Sequence, residues 1–197
     1  SMNVLVKNGI NFAVGFLYGN YFLGLFSIAR RILALPEMII GRPLDNYFRR
    51  KVFVNNVVSN SEIKRILSFY LKRLVGIAIL FFLVCSVLLP FCLRLLKYDN
   101  DWFAALPILQ LLTLGYCVSF ITVPFMSFFR VLKLEDKELK FQVLNFVSMA
   151  ILLLTVQYRA LGEEAAMVML NIQRVIVFSW FLVMVIRTTN ILTLKDS

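Results

Sequence analysis

Residues 74–96, LVGIAILFFLVCSVLLPFCLRLL, form an apolar run whose one charge is Arg94. A helix needs about 20 mainly apolar residues to cross the hydrocarbon of a bilayer. A run of that length meets the test plainly. Residues 103–129, 140–158 and 166–186 meet the same test. Residues 3–18 and 22–46 are apolar with polar interruptions, the first of them short. The sequence therefore predicts an all-α integral membrane protein with six transmembrane helices, the first two joined by a tight turn near Gly19–Tyr21. Composition agrees: 60% of the residues are hydrophobic and 16% charged, against about 45–50% and about 25% in soluble domains.

The net charge of +10 could suggest a nucleic-acid partner, but its distribution follows membrane topology instead. Lys7, the 47–73 segment with Arg49, Arg50, Lys51, Lys64, Arg65, Lys72 and Arg73, the 130–140 segment with Arg130, Lys133, Lys137 and Lys140, and the tail with Arg187 and Lys195 alternate with the six spans. The opposite loops carry Arg94, Lys97 and Arg159. The positive-inside rule puts the first set in the cytoplasm together with both termini. Residues 47–73 are too polar to span; Asn60 and Ser61 read as a helix cap, and basic residues follow at helical spacing. That segment reads as amphipathic, lying along the cytoplasmic surface and attracted to anionic membrane lipids.

Charges inside the spans carry the functional signal. An ionisable group at bilayer depth costs about 2.5–3.5 kcal/mol on insertion scales, so such groups face a bundle interior or water. Within 22–46, Arg31 and Arg42 are eleven positions apart, about 20° from eclipsed on an α-helix. Asp45 follows on the side of Arg42, and Ser27, Ala34 and Met38 complete the stripe. Arg42 and Asp45 fit either an internal ion pair near the cytoplasmic end or a pair facing a ligand. Arg30 lies a third of a turn away and reads either as a cation that snorkels outward or as one set against a neighbouring span, where it serves packing. In the first span Lys7, Asn11 and Gly15 stack at i, i+4, i+8. In the last, Asn171 and Arg174 stack at i, i+3 near mid-span. An excess of guanidinium points to an anionic guest, since its fork matches phosphate or pyrophosphate. The candidate cavity residues are Lys7, Asn11, Arg31, Arg42, Asp45 and Arg174.

Other motifs carry less. Cys85, Cys92 and Cys117 fall in apolar runs without metal-ligand spacing, and the chain has no histidine. Neither a metal site nor a cofactor is expected. The DND of residues 99–101 imitates a glycosyltransferase metal motif but falls in a short outer turn, where turn chemistry accounts for it. LEDKEL, residues 134–139, reads as a solvated inner loop.

GLFSIARRILALPEMIIG (24–41) resembles the glycine–aromatic–small–Ala–x–Arg–apolar–x–Leu–Pro signature of polysaccharide flippases in the MOP (MATE-like) superfamily, which includes O-antigen flippases of the Wzx type and lipid II flippases. KYDNDWFAALPILQLLTLGYCVSFITVPF (97–125) is similar to that family's outer turn, with Trp102 and Ala105 matching its W-x-x-A, and to the helix that follows, as far as Pro124. The resemblance covers nearly the whole chain. It implies a bundle of two pseudo-symmetric lobes around a central cavity, with residues 1–197 forming the C-terminal six-helix lobe and Arg31 matching the cavity arginine. It also implies a non-enzymatic transporter of the bacterial inner membrane, moving an undecaprenyl-pyrophosphate-linked oligosaccharide outward by alternating access. The partners implied are that lipid-linked substrate, membrane lipids, and a missing N-terminal lobe or a second copy; no nucleic acid is expected. The competing readings are a MATE-type multidrug exporter, a membrane-integral glycan polymerase or ligase, and an interaction module without transport.

Overall fold

A computed structural model describes the backbone of residues 2–54, 60–91, 100–126, 129 and 134–195, and the side chains of 8–47, 50, 64–91, 103–126, 129 and 134–190. Helix follows helix, with no strand among the described residues. In chain order these are α1 (Met2–Pro36), α2 (Arg42–Val54), α3 (Asn60–Leu83), α4 (Asn100–Thr122), α5 (Glu135–Tyr158) and α6 (Glu163–Lys195). Five stretches are long and apolar enough to cross a membrane: Asn8–Tyr47, Lys64–Phe91, Phe103–Phe125, Glu135–Tyr158 and Glu163–Asn190.

The first of these is bent back on itself. Gly19 has φ 84°, ψ 173°, outside the helical region and in a part of backbone space reserved for glycine. A Cβ on Gly15 would lie 2.9 Å from Leu23 Cδ2, although eight residues of straight helix separate two positions by about 12 Å. Arg30 Nη1 donates to Asn11 Oδ1 across nineteen residues, which a straight helix would hold about 28 Å apart. The two arms of α1 therefore pack side by side, and the turn expected near Gly19–Tyr21 is the single residue Gly19.

Proline sets the remaining irregularities. Pro36 and Pro43 bracket a π-helical segment, Glu37–Gly41, in which the Arg42 N–H donates to the Glu37 carbonyl. Pro90 follows a second π segment, Val84–Leu88. A proline has no N–H for the carbonyl four residues back, and its ring crowds that carbonyl; for Pro90 this is Ser86 O. Gln110 Nε2 on α4 donates to Ser86 O at 3.4 Å, returning a partner to it. Pro124 lies in a 3₁₀ turn, Val123–Phe125, against which Gly41 packs, so that a Cβ there would touch Val123 at 3.6 Å.

The described parts of the segment 47–73 fall in two helices: its beginning belongs to α2, and its end, from Asn60, is continuous with the apolar run in α3. One element departs from the sequence reading. LEDKEL is not a loop but opens α5, where Glu135, Asp136 and Glu138 occupy the first turn and complement the positive end of the helix dipole.

α4 is the most buried spanning helix, and its pairing with α6 is the most extensive in the bundle. Two apolar cores result. One gathers Val14, Phe26, Ala29, Leu109, Leu112, Leu152, Ala166 and Leu170. The other gathers Leu74, Ala78, Phe120, Phe129, Phe141, Val177 and Phe181, with the Phe141 and Phe181 rings 4.4 Å apart. On α4, α5 and α6 the cores are separated by a polar layer that contains Tyr116, Asn145 and Asn171–Arg174.

If Gly19 makes the hairpin, Gly19→Ala forces a side chain into its φ and ψ at a cost of about 1–3 kcal/mol. The detergent-solubilised variant should melt about 2–8 °C below the parent protein. Gly24→Ala, on the same helix with open space at the Cβ position, should melt no lower than the parent. Equal melting of the two variants would refute the role given to Gly19.

Candidate functional site

The polar layer opens into a cavity of about 570 Å³. Ile10 and Asn11 line it from one arm of α1, and Ser27, Arg30, Arg31 and Ala34 from the other. Glu37 and Met38 of the first π segment, Tyr116 and Ser119 of α4, Asn145 of α5, and Gln173 and Arg174 of α6 complete its polar wall and rim. Arg31, Leu35 and Met38 are exposed, so the cavity opens on that side.

The stripe of Ser27, Arg31, Ala34 and Met38 predicted from helical spacing lines the cavity, and Asn11 and Arg174 join it. Arg42 and Asp45 do not. A π turn takes one residue more than an α turn, which rotates everything beyond it by about 100°. The segment Glu37–Gly41 sits between Arg31 and Arg42, so the near-eclipsed α-helical spacing between them is lost. Lys7 is helical, but its side chain lies outside the described residues, as do the side chain of Trp102 and the outer turn at 97–99.

Arg30 takes the second of its two expected placements, against a neighbouring span. It does not snorkel outward; its Nε donates to Tyr116 Oη at 3.2 Å, its Nη1 bonds Asn11, and its guanidinium lies 5.3 Å from the centre of the Phe26 ring. Arg174 stacks on the other resource of the same tyrosine, its guanidinium 4.0 Å from the ring centroid. Tyr116 thus holds two guanidiniums, one by its hydroxyl and one by its π face, an arrangement that stabilises cations removed from bulk water. Arg30 is a positioning residue that ties both arms of α1 to α4. Arg31 reaches the open side of the cavity.

Close helix approach builds this arrangement. Gly115 has no side chain where α4 meets α6, and its N–H lies 2.6 Å from Asn171 Oδ1. Between α5 and α6, Gln173 Nε2 donates to Ser148 Oγ at 2.8 Å and to Asn145 Oδ1 at 3.3 Å. Tyr116, Asn145 and Gln173 were not singled out by charge in the sequence. Their signal is the recurrence of single polar residues at helical spacing, Asn145 with Ser148 and Asn171 with Arg174, within helices that are otherwise apolar.

With Arg30, Arg31 and Arg174 against Glu37 among its described lining residues, the cavity is cationic. It is suited to an anion that offers several acceptor oxygens to guanidinium forks. No family model, curated protein or solved structure matches the chain.

Gly115→Ala tests the packing that positions Arg174. The new Cβ would lie 2.5 Å from Asn171 Oδ1 and 3.1 Å from Arg174 Cδ, so the Asn171 side chain must leave the Gly115 N–H and Arg174 must give way, or α4 and α6 must separate. Overpacking of this kind costs about 1–3 kcal/mol. The variant should melt below Gly76→Ala, whose Cβ meets nothing within 4 Å; identical melting would contradict the close approach.

Proposed function

We propose that the chain is the arginine-bearing lobe of a membrane transporter that flips a lipid-linked oligosaccharide, and that its cavity receives the pyrophosphate of that substrate. The observation that carries this reading is the set of three guanidiniums, Arg30, Arg31 and Arg174, around one mid-bundle cavity. Arg30 is engaged in holding the walls together. Arg31 and Arg174 are left to meet a diphosphate, one at the open side and one on the Tyr116 ring. In this reading the two arms of α1 cross separately, giving six spans with both termini in the cytoplasm of a bacterial inner membrane. A second lobe, from another chain segment or a second copy, closes the open side. Transport then proceeds by rocking of the lobes around a fixed site, the usual mechanism of repeat-built transporters.

A MATE-type exporter of cationic drugs is the nearest alternative. It needs a cavity in which carboxylates prevail, whereas Glu37 here faces three guanidiniums. A glycan polymerase or ligase draws its catalytic groups from large outer loops. The connection between α5 and α6 is a tight turn around Ala160, whose φ is 45°, fastened by the Tyr18 hydroxyl donating to the Leu161 carbonyl at 2.9 Å.

Binding of inorganic pyrophosphate to the chain in phosphatidylcholine nanodiscs tests the reading. Arg31→Ala and Arg174→Ala should each weaken it by about tenfold or more, as loss of a charge-assisted bidentate contact does. Arg31→Lys should retain part of the affinity, because an ammonium supplies a point charge without the fork. Arg42→Ala, outside the cavity, should leave it within about twofold. Equal losses at Arg31 and Arg42 would reduce the effect to overall charge and refute the site.

A further inference from the structure

The cavity has a second chemical face, which the arginines do not use. Asn145 of α5 and Gln173 of α6 both line it. Gln173 Nε2 donates to Asn145 Oδ1 and to Ser148 Oγ, and the Ser148 hydroxyl donates to the Asn145 backbone carbonyl at 3.1 Å. A side-chain amide nitrogen carries two hydrogens, so both of those on Gln173 are taken. One acceptor, Gln173 Oε1, and one donor, Asn145 Nδ2, are left over. Among the described residues no buried side-chain nitrogen or oxygen lacks a partner. The two leftover atoms are therefore not sealed in the interface between α5 and α6; they open onto the cavity that both residues line.

We infer that Asn145 and Gln173 form a hydroxyl-recognising subsite, which selects a sugar joined to the anion held by the guanidiniums. The inference rests on the anion-binding reading above and deepens it. A sugar hydroxyl both donates and accepts, so neighbouring hydroxyls match a fixed acceptor and a fixed donor side by side. Asn145, Gln173 and Arg174 line the same cavity, which puts the neutral pair and a cation within reach of one ligand and suits a sugar attached directly to a phosphate. The amides are neutral and add nothing to the pull on a bare anion; what they add is discrimination between anions. They are also held in place before any ligand arrives, which reduces the ordering cost of binding. A role as interhelical glue, common for amides in membrane helices, accounts for the bonds between α5 and α6 but not for the two atoms that face open space.

Two probes of equal charge separate the possibilities: glucosyl diphosphate and methyl diphosphate, each titrated into the nanodisc-embedded chain. The parent protein should bind the glucosyl compound about tenfold more tightly, the effect of one or two well-placed hydrogen bonds. Gln173→Leu and Asn145→Leu should each cut that preference to about threefold or less, while methyl diphosphate binding stays within about twofold and reports that the site is still folded. A parent protein that binds both probes equally, or variants that lose both in equal measure, would overturn the subsite and leave the amides as packing. A parent protein that binds neither probe would overturn the anion site itself, and the subsite with it.

Discussion

A guanidinium never loses its proton in a protein, so an arginine set among apolar helices must be given hydrogen-bond acceptors, a π face or water. The arrangement of this bundle follows from meeting that demand three times in one layer. Arg30 is met by Asn11 and the Tyr116 hydroxyl, Arg174 by the Tyr116 ring, and Arg31 by the opening of the cavity. Arg30 of α1 and Arg174 of α6 share Tyr116 of α4, which is why the cations join α1, α4 and α6 instead of splitting the bundle. The apolar cores on either side keep the layer in register. Buried threonines return their hydroxyls to their own helices, as Thr113 does to Leu109 and Thr122 to Val118, so they do not compete for the same acceptors.

The irregular backbone serves the same layer. Gly19 turns the first arm of α1 back far enough for Asn11 to meet Arg30. The π segment after Pro36 delivers Glu37 and Met38 to the rim and turns Arg42 away from it. The 3₁₀ turn at Pro124 lies where that segment packs through Gly41. Non-helical backbone at membrane depth is tolerated where it is buried in protein or faces a water-filled space, and both π and 3₁₀ segments contribute residues to the cavity.

The apolar runs of α4, α5 and α6 could be read from the sequence within a few residues, because a span is a matter of length and hydropathy; the run read from Leu74 is carried by a helix that already begins at Asn60. The hairpin at Gly19 was legible as a turn, and Ser27, Arg31 and Ala34 as one face, because that arm is regular helix as far as Pro36; Met38, in the π segment beyond, still reaches the rim. The reading failed where one extra residue enters a turn: Arg42 and Asp45 were placed by counting 100° per residue through a segment that Pro36 and Pro43 convert to π geometry. For Arg30 a neighbouring span was expected, but not which partner it offers. Helical phase tells which way a side chain leaves its own helix, not that Tyr116, 86 positions away, waits there with a hydroxyl. The amide pair of Asn145 and Gln173 was missed because neither carries charge, and their meeting depends on how α5 and α6 pair. LEDKEL was taken for loop on its polarity alone, although acidic residues are what a helix start favours.

The central claim is that the polar layer is a water-filled space that attracts anions, and the reactivity of one introduced thiol tests it most directly. Ser27 lines the cavity in the same helix arm as Arg30 and Arg31. With Cys85, Cys92 and Cys117 changed to alanine, Ser27→Cys can be titrated with an anionic sulfonate and a cationic trimethylammonium thiosulfonate reagent at low ionic strength. Field focusing by the three guanidiniums should make the anionic reagent about tenfold or more the faster, and inorganic pyrophosphate should slow it. A thiol that reacts faster with the cationic reagent, or with neither until the protein is denatured, would contradict the account.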